Sequence, residues 1–175
     1  MEPTLVDPSL AALLQGAGVE WCLIGAAALA THGYARTTDD IDLLTVDARV
    51  LSAAFWGSAP VTIRCGDNDD PLLGSVVWPA KPQHDVVVGK GHAAREALST
   101  APLNHRLGCK VATPLALVLL KLEAGGAQDL YDIVALVERR RALDGAGWFA
   151  EVAHHLPRLS VNARAAWTRL QSLWR

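Results

Sequence analysis

Asp40-Ile41-Asp42 is the first pattern in the sequence with the makings of chemistry. In an extended strand, residues two apart face the same side with Cα atoms about 6.5–7 Å apart. Two carboxylates so placed can share a hard divalent cation. Acidic residues are depleted in strands, and two on one face of an apolar strand need compensation. Mg²⁺ supplies it, because it favours one or two carboxylates together with phosphate oxygens and water. The plainer alternative is that these acids end a loop and sit solvated at the start of the strand. Three neighbours favour the cation. Gly25 follows an apolar run and opens an alanine-rich one, a strand-to-helix turn whose free backbone N–H groups can hold phosphate. Asp85 begins a second apolar strand, Asp85-Val-Val-Val88, and can bring a third carboxylate beside the pair. Arg36 and Thr38, just before the two acids, can meet phosphate or brace the loop. Three carboxylates and a phosphate-accepting turn describe a phosphoryl or nucleotidyl transfer site.

The elements that must position these residues can be read from periodicity and punctuation. Asp7-Pro8 predicts a helix start, and Leu10, Leu13 and Leu14 give it an apolar stripe that ends at Gly16-Ala17-Gly18. Glu20–Ile24 reads as a buried strand, Ala26–His32 as a helix stopped by Gly33, and Asp40–Val46 as a strand. Asp47 caps a helix reaching about Trp56. Strands at Pro60–Arg64 and Leu73–Trp78 flank a polar loop, Gly66–Pro71, and His84–Val88 is a further strand. From about residue 91 the texture turns helical. His92–Leu98 is a short helix, and Leu107–Val111 is one more extended piece. Thr113-Pro114 starts a helix over Leu115–Ala124 that stops at Gly125-Gly126. Gln128–Leu143, Trp148–Leu156 and a helix capped by Ser160 and running to about Trp174 complete the chain. The expected class is α+β: a small mixed β-sheet core flanked by helices over residues 1–111, then a C-terminal helical bundle over 112–175.

Composition sets the outer bounds. The 175 residues are 51% hydrophobic and 19% charged, enough to bury a core. Mean hydropathy is +0.20. The longest apolar runs, Trp21–Ala30 and Leu115–Leu120, nevertheless fall short of the ~20 residues of a membrane span. The opening residues lack a basic segment followed by an apolar one, so no signal peptide and a cytoplasmic location are expected. Cys22, Cys65 and Cys109 are widely spaced and make no disulfide framework; free, buried or half-buried thiols are expected. The net charge of −2 argues against a general nucleic-acid coat. It conceals a division, with a balance of −7 over residues 1–87 and +5 over 88–175. An acidic metal site facing a basic helical wall would have that distribution.

At Leu23-Ile24-Gly25, Ala28, His32-Gly33, Arg36-Thr37-Thr38 and Asp40-Ile41-Asp42-Leu43 the sequence resembles the DNA polymerase β-type nucleotidyltransferase superfamily. Within it, the sequence looks most like the small bacterial group that includes AbiEii-type toxins of toxin–antitoxin systems. Leu117–Asp132 resembles the helical segment of that family, with its Lys, its Ala and a later Asp-x-x-Asp. The likeness runs discontinuously over residues 20–136. It implies that Asp40, Asp42 and Asp85 hold catalytic Mg²⁺, with Mn²⁺ as the substitute, and that Asp85 helps activate the acceptor hydroxyl. Gly25 and Ala26, with Arg36, Thr38 and Lys121, would bind the nucleotide phosphates, Lys121 reaching toward the triphosphate. The implied donor is a nucleoside triphosphate. The acceptor would be an RNA or tRNA end, a protein or a small molecule, and an antitoxin protein would be a partner.

Two positions depart from the family pattern: Ala26 stands where Gly or Ser is usual, and Gly125-Gly126-Ala127-Gln128 offers no basic residue before Asp129. They motivate a second reading, a catalytically weak nucleotide- or partner-binding module on the same fold. A third is a structural cation site without nucleotide. Single residues have plain alternatives too. Lys121 can snorkel to the surface, Asp129 and Asp132 can serve a helix start, and His32 and His84 can simply be packed or exposed. Arg139-Arg140-Arg141 reads as a solvated helix face with RNA contact as the alternative, and the six scattered tryptophans as packing. His154 and His155 diverge on a helix, which disfavours a metal site made by that pair.

Overall fold

Asp7 opens the first helix as its type and position predict. In the computed structural model its carboxylate accepts from the backbone N–H of Ser9 and of Leu10, each at 3.0 Å. Residues 5–67, 70–144 and 147–174 are described. The expected polar loop Gly66–Pro71 therefore lies partly outside the described residues. Helix α1 spans Pro8–Gly16, strand β1 Cys22–Leu23, helix α2 Gly25–Thr31 and strand β2 Asp40–Thr45. After a 3₁₀ turn at Ala48–Leu51 come α3 (Ala53–Trp56), β3 (Thr62–Cys65), β4 (Leu72–Trp78), β5 (Gln83–Gly89) and α4 (Gly91–Thr100). A short hairpin of β6 (Leu103–Asn104) and β7 (Cys109–Lys110) leads to α5 (Pro114–Ala124), α6 (Ala127–Asp144), α7 (Gly147–His155) and α8 (Val161–Gln171).

The architecture is α+β, with a mixed sheet and helices after it, as expected. The five-stranded sheet has the order β1-β2-β5-β4-β3. β2 and β5 run parallel at its centre, and the other neighbouring pairs are antiparallel. Period-two alternation decides what each face carries. On β2, Ile41 and Leu43 are buried on one face while Asp40 and Asp42 stand half-exposed on the other. On β5, His84, Val86 and Val88 are buried, leaving Asp85 and Val87 on the opposite face. The parallel register pairs Asp42 with Asp85 directly.

Helix α5 is buried almost all round and packs against α2, α4, α6 and α8. Thr113 caps it, accepting from the Ala116 N–H at 3.2 Å, and Gly125 ends it at a left-handed φ of 67°. One hydrophobic cluster runs from Leu10 and Leu23 through Leu43 and Leu117 to Ile133 and Trp167. No helix among the described residues is long and apolar enough to cross a membrane.

The differences from expectation have local causes. The single helix after Asp47 is instead a 3₁₀ turn and α3, because Ser52 is extended (φ −95°, ψ 130°). The Trp56 indole then donates to the Val50 carbonyl at 2.6 Å and stabilises that break. The extended piece near residue 109 has a partner, β6, too short to show periodicity. Cys22 and Cys109 are buried, as expected, and burial pushes the Cys22 thiol up to about 12. Cys65, on edge strand β3, is exposed. Trp56, Trp148 and Trp167 are core residues.

Candidate active site

The carboxylates of Asp40, Asp42 and Asp85 converge, each offering an oxygen within 4.8 Å of the others. Asp40 and Asp42 share a face of β2, and the β2–β5 register supplies Asp85 from the next strand. Two of the three acids are braced. Thr38 donates from its hydroxyl to Asp40 Oδ1 at 2.5 Å, and Gln83 donates from Nε2 to Asp85 Oδ1 at 2.9 Å. No donor among the described residues hydrogen-bonds the Asp42 carboxylate. Burial raises its pKa to about 6, and the charges of Asp40 and Asp85 push the same way against the pull of Lys121 and Arg36.

That electrostatic position tests whether the residues fit a metal. An under-supplied carboxylate between two others, with oxygen as the sole donor type, suits a hard divalent cation such as Mg²⁺ or Mn²⁺. The cation would remove the repulsion that burial amplifies. In chelated protein the same repulsion has a signed consequence. A raised native pKa means that the folded state binds more protons than the unfolded one between about pH 4 and 6. Metal-free stability is therefore expected to fall as pH rises through that window, by on the order of 3 kcal/mol from this group. Urea titrations at pH 4.5 and 7 capture about two-thirds of it. An Asp42→Asn variant showing the same loss as wild type would refute the assignment.

Gly25 links the turn to the acids. Its φ is +62°, and a Cβ built on it would overlap the Asp42 carboxylate. The Ile24 N–H donates to the Asp42 carbonyl at 2.9 Å, tying the start of α2 to β2. No side chain caps α2. Gly25→Ala is expected to displace Asp42, weakening divalent-cation binding and costing at least about 1–2 kcal/mol in backbone strain alone. Cation titration and urea denaturation report the two effects separately. Unaltered values in both would show that the close approach is immaterial.

Lys121 and Arg36 do not stand free. Lys121 is 7% exposed, so it does not snorkel to the surface. Its ammonium meets Asp129 at 3.0 Å and Asp132 at 2.7 Å. Arg36 Nε lies 3.3 Å from the same Asp132, and Gln128 donates to it at 3.0 Å. Asp129 also caps α6, accepting from the Gly126 N–H at 3.1 Å. Asp132 has a different role from the helix-start one expected: it is fully buried and joins both cations. Sequence reading missed this hub. The available signal was Lys121 itself, a charge inside an apolar helix that needed a partner beyond the Gly-Gly turn.

A cleft of about 560 Å³ connects these groups. Gly25, Asp42, Arg36 and Lys121 line one part, and Leu44, Val87, Ala93, Ala94 and Leu117 line an apolar stretch. Asp40 and Asp85 lie outside its lining, so the three acids sit at its edge. His84 is buried, with Nε2 accepting from the Asp7 N–H at 3.0 Å and Nδ1 at 2.9 Å from the Pro82 carbonyl. The His32 ring meets the Ala112 carbonyl at 2.8 Å. Both rings are held by backbone groups. Two of the three consecutive arginines also part company. Arg139 packs under Gly33, where a Cβ would strike its guanidinium, and Arg141 lies over the Phe149 ring at 5.7 Å.

No protein-family model matches the chain, and no curated protein is significantly similar to it. Among solved structures it is similar to the antibiotic-resistance factor ANT(2'')-Ia, at 15% identity over 83% of this chain and 92% of that one, with a TM-score of 0.49.

Proposed function

We propose that the protein is a divalent-metal-dependent nucleotidyltransferase that moves a nucleoside monophosphate from a nucleoside triphosphate to a hydroxyl. The observation that carries this reading is the trio of carboxylates on the half-open face of two parallel strands, at the edge of a cleft lined by two cations. A metal held by Asp40, Asp42 and Asp85 would neutralise charge on the phosphate under attack and on the leaving pyrophosphate. Asp85, which accepts a hydrogen bond from Gln83, would take a proton from the incoming hydroxyl. The Gly25 turn, with the N–H of Ala26, would receive the phosphates beside Asp42. Arg36 and Lys121, which line the cleft, would contact the phosphates, and Thr38 orients Asp40. The superfamily likeness and its AbiEii-type branch agree with this chemistry. The acceptor then belongs to the RNA or tRNA end, protein or small-molecule classes, and a toxin role with an antitoxin partner follows from the same likeness.

One observation favours a second reading, a nucleotide- or partner-binding module with little catalysis. Lys121 and Arg36 both spend their charge on Asp132, leaving less for a triphosphate. Incubation with each labelled triphosphate, Mg²⁺ and total RNA, beside an Asp42→Asn control, separates the two. Label transferred to RNA, protein or a small acceptor supports the enzyme; nucleotide binding without transfer supports the module.

A further inference from the structure

A second cluster of metal-ligating side chains lies apart from the three aspartates. His92 sits at the start of α4 and Glu96 one turn further on, so both side chains face the same way. His155, the last residue of α7, closes the group. The three offer ligand atoms that all lie within 4.8 Å of one another. His92 Nε2 and His155 Nδ1 approach to 2.8 Å, with the rings stacked at 5.1 Å. His154 beside them is exposed and meets His155 edge-on, so it stays outside the group.

We propose that His92, Glu96 and His155 bind a divalent transition-metal cation of the Zn²⁺ class, which braces α4 against α7. Two imidazoles and one carboxylate form a donor set suited to Zn²⁺ and poorly suited to Mg²⁺. Two nitrogens about 2.0–2.1 Å from a tetrahedral metal stand about 3.3 Å apart, so binding would replace the His92–His155 hydrogen bond and part the two nitrogens by roughly half an ångström. His92 and Glu96 are half-exposed, which leaves an entry path and room for water at an open position. Arg95 and Arg158, the cations whose charge reaches His92, are exposed and therefore screened, and Glu96 offsets part of their field. The brace has a structural use. Ala93 and Ala94, which follow His92 on α4, form part of the cleft wall. Fixing α4 to α7 fixes that wall.

The test is a Zn²⁺ titration of chelator-stripped protein with millimolar Mg²⁺ present throughout, so that the aspartate trio is occupied by the harder ion. One equivalent of Zn²⁺ is expected to bind, and to raise the thermal midpoint by about 5–10 °C at a hundredfold excess over Kd. His92→Gln and Glu96→Gln, both at half-exposed positions, should each weaken Zn²⁺ binding at least about tenfold, the loss typical even of residues that only orient a ligand. Asp42→Asn should leave it unchanged. Co²⁺ in place of Zn²⁺ should give visible bands of low-coordinate geometry that disappear in His92→Gln. Absence of a bound equivalent would overturn the proposal, and so would an affinity that follows Asp42 rather than His92. Because nothing in this titration requires transfer activity, its outcome is independent of the reading proposed for the aspartates.

Discussion

Asp42→Asn is expected to lower nucleotidyl transfer about a thousandfold while leaving the fold intact. The substitution keeps shape and removes one charge from the set that would hold the metal. Loss of roughly 4 kcal/mol of metal-mediated stabilisation in the transition state corresponds to that factor. The same change should act in the opposite direction on stability. Asp42 is the acid whose pKa rises to about 6 through burial and the neighbouring Asp40 and Asp85 charges. Neutralising it relieves the repulsion, so the chelated variant should resist urea better than chelated wild type at pH 7. Label transfer and urea midpoints, measured on the same preparation, provide both readouts. A variant retaining more than a tenth of wild-type transfer would remove Asp42 from the metal set. Equal chelated stabilities would remove the electrostatic account of it.

The second large effect should come from Asp132→Ala. Asp132 is fully buried and joins Lys121 at 2.7 Å to Arg36 at 3.3 Å. Removing it leaves the buried Lys121 ammonium with Asp129 alone and takes the carboxylate from Arg36, and breaking such a buried pair typically costs about 3–5 kcal/mol. For a chain of this size that lowers the thermal midpoint by about 6–20 °C. The cost belongs to the broken pair more than to any net gain from having it, so a matched apolar pair is informative. Lys121→Met combined with Asp132→Leu should recover part of the stability, because the two buried charges vanish together while Arg36 and Gln128 still lose a partner. Thermal and urea unfolding of the single and double variants settle this. If the single variant loses less than about 1 kcal/mol, Asp129 alone satisfies Lys121 and Asp132 is not what holds the hub together.

Some of this site was legible from spacing alone. Asp40 and Asp42 lie two apart in an apolar strand, and the pleat forces them to one face. Asp85 was legible as a strand residue, but its pairing with Asp42 depends on a parallel register set by tertiary packing over forty residues of chain. Gly25 was visible as a turn glycine. Its close approach to the Asp42 carboxylate emerges only when α2 docks beside β2. Local signals fared best at helix starts, where Asp7, Thr113 and Ser160 cap as their types predict. They failed where the determinant lies elsewhere in the chain. Asp132 is indistinguishable from a surface acid until Lys121 and Arg36 are brought to it. His92 and Glu96 acquire meaning only beside His155, more than fifty residues away.

The β2–β5 register also governs when the site can exist. The strands are parallel neighbours, so no hairpin can bring them together early; the chain from Val46 to Pro82 must be made and folded back first. As the chain emerges during synthesis, Asp40 and Asp42 precede their third partner by a long interval. A cation site that needs all three carboxylates would therefore form only once β5 is complete. An unfinished chain, or one with β5 slipped by a single residue and Asp85 turned to the buried face, cannot gather all three carboxylates. The same strand pairing that completes the sheet would thus withhold the proposed site until β5 has docked.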